Sequence, residues 1–335
     1  MTRGRFAPSP TGRMHLGNVF CALLSWLSAK SKGGEWVLRI EDLDPQRSRR
    51  EYALQLMDDL QWLGLPWDGE PVWQRQRGHI YEEYLHLLTE MGLTYPCFCT
   101  RADIMATQAP HETDGRVVYK GTCRPKYTDA ARSVPTPSGV DNSLNVKRST
   151  LNAPSATTRL IVPDCTIPFT DGHYGRHDIN LAEHCGDYII RRKDGAWAYQ
   201  LAVVVDDALM GVTEIVRGRD LLLSSPQQIH LRELLFGERK TENGFTHPST
   251  VNLQRSTLTF LHHPLLCNAE GQRLCKRDKS MDLGYLRDKG TTPQEIIGLL
   301  AYYAGLIEQA YSANPEELLT LFSWNKVPTE DIITL

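Results

Sequence analysis

Two prolines and two glycines near the start constrain this chain more than anything that follows. In Arg5-Phe6-Ala7-Pro8-Ser9-Pro10-Thr11-Gly12, a strand over Arg3 to Phe6 cannot continue, because Pro8 and Pro10 lack a backbone donor and fix φ. Gly12 and Gly17 allow tight turns and a close approach of backbone to a ligand. His15-Leu16-Gly17-Asn18 then leads into the apolar run Val19 to Leu27. Asn18 is a good cap residue, and Val19, Phe20, Leu23, Leu24 and Leu27 share one helical face, so a helix is expected to open near Asn18. A strand, a glycine-bearing turn and a helix N-terminus together make an anion site, with His15 placed to donate to a phosphate.

The wording Pro-Ser-Pro-Thr-Gly followed by His-Leu-Gly-Asn resembles the first signature of class I aminoacyl-tRNA synthetases, in its glutamyl/glutaminyl form. Asn18 departs from the usual last residue of the tetrad. The resemblance implies an α/β fold, a Rossmann-like parallel-sheet catalytic domain split by a zinc-containing insert, with a small helical C-terminal region. The 335 residues leave room for about two or three domains. A net charge of −3 gives no global basic signal for nucleic acid, so RNA contact must use local patches such as Arg191-Arg192-Lys193, which read equally as a solvated hairpin edge. No apolar run reaches the roughly 20 residues that span a bilayer, and the first residues lack a signal-peptide layout. A cytoplasmic protein with neither membrane nor DNA as partner is expected. Eight scattered cysteines then favour free thiols or metal over disulfides.

Glu35 to Ile40 reads as a strand with alternating Trp36, Leu38 and Ile40, ending in Glu41-Asp42-Leu43-Asp44-Pro45. Asp44 before Pro45 reads as a helix start, with helices expected over about 47–63 and 78–91. Arg47, Arg49 and Arg50 read as a solvated helical face. Glu41 falls at the carboxyl end of a strand, where open α/β sheets bind ligands. Arg-Ile-Glu-Asp-Leu-Asp is similar to a string of glutamyl-tRNA synthetases, and implies that Glu41 contacts the amino-acid substrate.

Pro96-Cys97-Phe98-Cys99 and Tyr119-Lys120-Gly121-Thr122-Cys123 follow. Two thiols one residue apart can reach one ion more easily than each other, and buried unliganded thiols are the alternative. The pattern resembles the zinc site of glutamyl-tRNA synthetases and their shortened paralogue, whose ligands fall on Cys97, Cys99, Tyr119 and Cys123. Tetrahedral zinc takes four ligands, mostly soft, and a structural role is expected. The stretch from about 128 to 158, rich in Ser, Thr, Asn and Pro, reads as an exposed loop. Arg159 to Val162 and Thr166 to Asp171 suggest β-structure inside the insert.

Lys193-Asp194-Gly195 signals a hairpin between Tyr188-Ile189-Ile190 and Trp197-Ala198-Tyr199. Val203-Val204-Val205 and Ile215-Val216 read as two buried strands, with Asp206 and Asp207 as a polar end. The resemblance places substrate-binding roles on Tyr199 and Arg217, and with them on Arg5, Ala7 and Ser9. Glutamate carries two carboxylates and one ammonium. Arg5 and Arg217 supply forks for carboxylates and Glu41 a counter-charge for the ammonium, which suits glutamate better than glutamine.

Gly271-Gln272-Arg273-Leu274-Cys275-Lys276-Arg277-Asp278, after the apolar strand His263-Pro264-Leu265-Leu266, resembles the second class I signature. In the register Arg273 to Arg277, Lys276 is the ATP lysine and Arg273 and Cys275 depart from the pattern. Lys279-Ser280 offers a superficially closer register. With Mg²⁺, ATP would meet His15, Gly17, Asn18 and Lys276, of which His15 and Lys276 are the catalytic pair. Helix starts are expected at Thr292-Pro293, Asn314-Pro315 and Thr329.

The domain reading is 1–94 and 186–237 for the two halves of the catalytic domain, 95–185 for the insert, and 238–335 for a mostly helical region with the second signature. No anticodon-binding domain is expected. The resemblance implies tRNA-independent activation of L-glutamate by ATP. Transfer to queuosine in the anticodon of tRNA(Asp), as in the shortened paralogue, is the implied second step. A short acceptor-end synthetase and a non-catalytic RNA-binding paralogue are the alternatives.

Overall fold

A computed structural model describes residues 1–106, 118–125, 156–237, 258–274 and 282–334. All but the end of the expected 128–158 loop lies outside the described residues. The strands are β1 (Arg3–Phe6), β2 (Glu35–Ile40), β3 (Val72–Trp73), β4 (Thr94–Cys97), β5 (Thr157–Leu160), β6 (Thr166–Asp171), β7 (Gly175–Asn180), β8 (Ile189–Arg191), β9 (Glu214–Gly218), β10 (Thr259–His263), β11 (Leu266–Cys267) and β12 (Ile332–Ile333). The α-helices are α1 (Leu16–Lys30), α2 (Arg50–Trp62), α3 (Gly78–Glu90), α4 (Arg101–Ala106), α5 (Leu181–His184), α6 (Tyr199–Leu209), α7 (Ser225–Phe236), α8 (Leu283–Asp288), α9 (Pro293–Tyr303) and α10 (Pro315–Leu318). They fall into two units, one of residues 1–78, 168–178 and 204–335, the other of 79–167 and 179–203.

The first unit is built on a seven-stranded sheet of order β3-β2-β1-β9-β10-β6-β7. From β3 to β6 every neighbouring pair is parallel. The chain leaves β1 for β2 and β3 on one side and returns later as β9 and β10 on the other, so the switch point falls between β1 and β9. Ligands bind at such a point, beyond the strands' carboxyl ends. Residues 168–178, expected inside the insert, belong to this sheet: Phe260 pairs with Asp171. β-propensity signals a strand but not which sheet it joins.

The two faces of β1, β2, β9 and β10 differ in kind. Because side chains alternate, Phe6, Trp36, Leu38, Ile40, Val216 and Leu261 point to one side and join the main apolar core with α1. α1 is buried on nearly all sides, and its serines accept from indoles: Trp36 Nε1 on Ser25 Oγ and Trp324 Nε1 on Ser28 Oγ, each at 2.9 Å. The opposite side carries Arg5, Arg39, Arg217 and His262, all buried.

α6 corrects the expected strand over Val203 to Val205. Leu201 to Ala208 are buried without interruption, and periodicity cannot separate a fully buried helix from a fully buried strand. The expected strand at His263–Leu266 is split at Pro264 into β10 and β11. Thr292 does cap α9, in a reciprocal capping box with Glu295. Thr329 starts no helix; the segment after it forms β12 beside β11.

The second unit has a three-stranded sheet of order β4-β5-β8, antiparallel throughout. The hairpin at Lys193-Asp194-Gly195 is present, closed by Arg192 N donating to Ala196 O. Its basic patch is partly neutralised, with Arg191 on Glu82 and Arg192 on Asp194. No described helix is long and apolar enough to cross a membrane.

Candidate active site and thiol cluster

The turn after β1 is organised by His15. It is His15, not Asn18, that caps α1: its Nδ1 accepts from Gly17 N, and Asn18 Oδ1 accepts from His15 N, both at 3.1 Å. Asn18 is the third helical residue, so the helix opens one turn earlier than expected. A Cβ on Gly17 would lie 3.0 Å from the His15 ring, which is why glycine stands there. With Nδ1 accepting, a neutral His15 carries its proton on Nε2 and presents that edge as a donor. The amides of Gly17 and Asn18 are engaged within the cap.

This turn is tied to its surroundings. Glu41 N donates to Pro8 O at 3.0 Å, which sets Glu41 beside the Ala7–Ser9 backbone. Asp44 accepts from the amides of Gln46 and Arg47, capping a turn; α2 itself begins only at Arg50. Leu283 N donates to Met14 O, and Arg13 and Arg287 both reach the buried Asp59. The segment that follows the second signature is thereby fastened to the first. Lys276, with Cys275, Arg277, Lys279 and Ser280, lies outside the described residues. Arg273 is described; it is exposed and paired with Asp220.

Arg5, Glu41 and Arg217 converge on one buried network of charge. Asp207, on α6, lies 2.6 Å from Arg39 Nη1 and 3.5 Å from Arg5 Nε. Arg39 Nη2 holds Glu41 Oε1 at 3.2 Å. Asp206 is held by Arg77 at 2.6 Å and by Gln74 at 2.9 Å. Burial would raise the Asp207 carboxyl, but Arg39, Arg5 and Arg217 outweigh it and hold it below its ordinary range. For Glu41 burial wins over Arg39 and Arg5, and its carboxyl is pushed up. Arg217 is held through its own five-donor fork by His262 Nε2 (3.0 Å), Gln228 Oε1 (2.8 Å) and Ser225 Oγ (2.9 Å). Of the remaining expected residues, Ala7 is half-buried, Ser9 exposed, and Tyr199 half-buried at the start of α6, in the second unit.

Asp206, Asp207 and Arg39 were missed by sequence reasoning, and so were His262 and Asp171. A signal was present: Arg3-x-Arg5 and Arg39-x-Glu41 repeat at the strand period of two, so their side chains share a face that must be charged and covered. Acids to match those arginines had to come from elsewhere in the chain.

In the second unit, Cys97, Cys99 and Cys123 bring their sulfurs within 4.8 Å of one another. Cys99 Sγ lies 3.5 Å from Cys123 Sγ, and Tyr119 Oη lies 3.4 Å from Cys97 Sγ and 3.8 Å from Cys99 Sγ. All four expected ligands are therefore together. Bonds of about 2.3 Å to a tetrahedral ion require sulfurs roughly 3.8 Å apart, so the donor set fits a metal of the zinc type. Burial would raise the Cys123 thiol, but hydrogen bonding from the Phe98 amide, Tyr119, Cys99 and Cys97 brings it down to about 7, which favours the ligating thiolate. Gly186 makes this packing possible: its φ is +60°, and a Cβ there would lie 2.2 Å from Tyr119 O.

A parallel sheet with a glycine-bearing first turn and a charged crevice is shared by many folds, and the wider comparison decides among them. Residues 1–325 match the family of class I tRNA synthetases (E and Q), catalytic domain. The chain belongs to this family. It is 39% identical to a Glutamyl-Q tRNA(Asp) synthetase of Nitratidesulfovibrio vulgaris, over 100% of this chain and 96% of that protein. It is 40% identical to one of Symbiobacterium thermophilum, over 99% and 95%. Among solved structures, a glutamate tRNA ligase from Elizabethkingia meningosepticum, in complex with its amino acid, superimposes with a TM-score of 0.74 at 25% identity. That match covers 99% of this chain and 66% of the other, so the chain spans just under two thirds of that ligase. Family and relatives make this class I synthetase chain an enzyme of the ligase type.

Proposed function

We propose that this chain activates L-glutamate with ATP, without tRNA, and transfers the glutamyl group to queuosine in the anticodon of tRNA(Asp). One observation carries the first half: beside the Arg39–Asp207 pair, the buried Arg5 and Arg217 and the carboxylate Glu41 stand at the carboxyl ends of β1, β9 and β2. That is the inverse of glutamate's own charge pattern. Arg5 and Arg217 take the carboxylates and Glu41 takes the ammonium, with Ala7 and Ser9 beside them; the family resemblance also gives Tyr199 a substrate-binding role. The α-carboxylate attacks the α-phosphate of ATP and pyrophosphate leaves. His15 Nε2–H, Lys276 and Mg²⁺ offset the charge on the phosphates, with Gly17 and Asn18 shaping the turn; positioning and electrostatics supply the catalysis. A queuosine hydroxyl then attacks the carbonyl of the mixed anhydride and AMP leaves. Support for this acceptor comes from the relatives, matched over nearly their whole length. Cys97, Cys99, Tyr119 and Cys123 hold one zinc ion, which braces the second unit.

The test has two stages. ATP–pyrophosphate exchange without tRNA should respond to glutamate and far less to glutamine or aspartate, since an amide leaves an arginine poorly paired at a cost of about 1–3 kcal/mol. Labelled glutamate should then transfer to queuosine-containing tRNA(Asp) whose 3′-terminal adenosine has been removed enzymatically, and not to tRNA(Glu) or to tRNA(Asp) lacking queuosine. Equal exchange with glutamine overturns the substrate. Labelling that requires an intact 3′ diol makes the chain an acceptor-end synthetase.

A further inference from the structure

Behind Arg217 a line of buried polar groups crosses from β9 through β10 to β6. Arg217 Nε donates to His262 Nε2 at 3.0 Å, and His262 Nδ1 lies 2.6 Å from Asp171 Oδ2. All three side chains are at most 3% exposed. A guanidinium can only donate, so His262 Nε2 carries the lone pair and the ring proton sits on Nδ1, facing the carboxylate. An imidazolium would set N–H against N–H. Burial, the largest influence, lowers the affinity of His262 for a second proton, and the Arg217 charge adds to it against the pull of Asp171.

Asp171 is locked in turn. Its Oδ1 accepts from the amides of His173 (3.0 Å), Tyr174 (2.9 Å) and His262 (3.3 Å). Those amides dictate that Oδ2 faces the imidazole. Burial would raise this carboxyl, yet the bonds from His262 and the turn amides bring it below its ordinary range, so it stays an acceptor. Gln228 and Ser225, which also accept from Arg217, are neutral like His262. These acceptors orient the fork.

We propose that His262 and Asp171 are positioning residues for Arg217, with Asp171 fixing the Nδ1–H tautomer and His262 presenting a neutral acceptor that sets the plane of the guanidinium toward a substrate carboxylate. The proposal rests on the reading of Arg217 as a glutamate ligand. A carboxylate in place of His262 would orient the fork equally well but cancel its charge. The imidazole between them separates the two tasks.

The experiment begins with the unaltered protein. With ¹⁵N-labelled histidine, His262 should appear at neutral pH as the neutral Nδ1–H tautomer; an Nε2–H tautomer or an imidazolium overturns the proposal with no variant needed. In Asp171→Asn the amide oxygen should stay with the three backbone amides and turn its NH₂ toward Nδ1. The ring proton then moves to Nε2, against Arg217. The glutamate KM in pyrophosphate exchange should rise about tenfold or more, the scale of one charge-assisted hydrogen bond, while the ATP KM stays put. A glutamate KM that does not move, or one that rises in step with the ATP KM, overturns the proposal. Arg217→Ala separates the two levels. If it leaves the glutamate KM unchanged, the substrate reading fails and this proposal with it; if it raises that KM while Asp171→Asn does not, only the positioning role fails.

Discussion

The charged face of the large sheet and the thiol cluster of the second unit both gather polar groups into buried surroundings, by opposite means. On the sheet, acids and arginines meet inside the protein: Arg39 holds Asp207 and Glu41, and Asp206 takes Arg77, while His262, Gln228 and Ser225 accept from Arg217. β2 sets Arg39 on one face while α6 brings both aspartates to it, and the main core lies on the other side of the same strand. The thiol cluster has three sulfurs and a phenol whose mutual contacts are weak hydrogen bonds. The apolar cluster around it is small, with Tyr95, Cys97 and Tyr119 as its buried members. Asp187 braces it, accepting from Tyr95 Oη at 2.6 Å and Val162 N at 2.7 Å. The first site is organised by protein charge alone; the second has a donor set that an ion would complete.

The sharpest way to break this contrast is to remove the centre of the charged network. Arg39→Ala leaves Asp207 and Glu41 buried without their main counter-charge, and should destabilise the protein by about 3–5 kcal/mol. Urea unfolding followed by tryptophan fluorescence measures it. Adding Asp207→Leu to Arg39→Met should recover part of that loss, because one of the two acids deprived of Arg39 is then removed. A single-variant loss below about 1 kcal/mol, the range of exposed pairs, would mean the network is hydrated rather than interlocked.

Metal removal probes the other side. Chelation, or Cys123→Ser, should raise hydrogen exchange in β4 and in residues 118–125 while β1 and β2 keep their protection, since a structural metal contributes folding free energy directly. Gly186→Ala should act in the same direction without touching a ligand. Its φ of +60° and the 2.2 Å approach to Tyr119 O make any side chain there strained, at a cost of about 1–3 kcal/mol, and elemental analysis should find less bound zinc. Protection lost equally in both units would erase the distinction between them.

How far each region was legible follows from the same contrast. Local signals located β1, β2, α3 and α9, because proline, alternation and caps act within a few residues. The four candidate ligands stood out by spacing and resemblance, and the fold brings them together. Arg5, Glu41 and Arg217 were named as well, yet what surrounds them was not. Asp206 and Asp207 looked like the polar end of a strand, since a run such as Leu201 to Ala208 hides its period when every side is buried. By sequence Asp171 falls in a segment assigned to the insert, and only its pairing with Phe260 carries it to His262. Partners as far apart as Asp171 and His262, 91 residues, or Arg39 and Asp207, 168 residues, leave no local trace of each other.

The smallest expected effect is also the most discriminating, because it turns on two acids of one network with opposite shifts. Asp207 is held below its ordinary 3.8 by Arg39 and Arg5 against burial. Its contribution to stability is therefore complete above the unfolded value and is lost as pH falls through the folded one. Glu41 is raised above its ordinary 4.5 because burial outweighs the same arginines. Its contribution is complete below the unfolded value and is lost as pH rises through the folded one. Asp207→Asn should thus cost stability at neutral pH, with a penalty that shrinks in acid. Glu41→Gln should be neutral or slightly stabilising at neutral pH, and that gain should vanish in acid. Urea midpoints across this range separate the two. A Glu41→Gln protein that gains stability while losing glutamate-dependent exchange would show a carboxylate kept ionised for its ligand at the fold's expense. A Glu41→Gln protein as destabilised at neutral pH as Asp207→Asn would make Glu41 one more structural member of the ion network, and the comparison between a site organised for a ligand and a site organised by one would have to be redrawn.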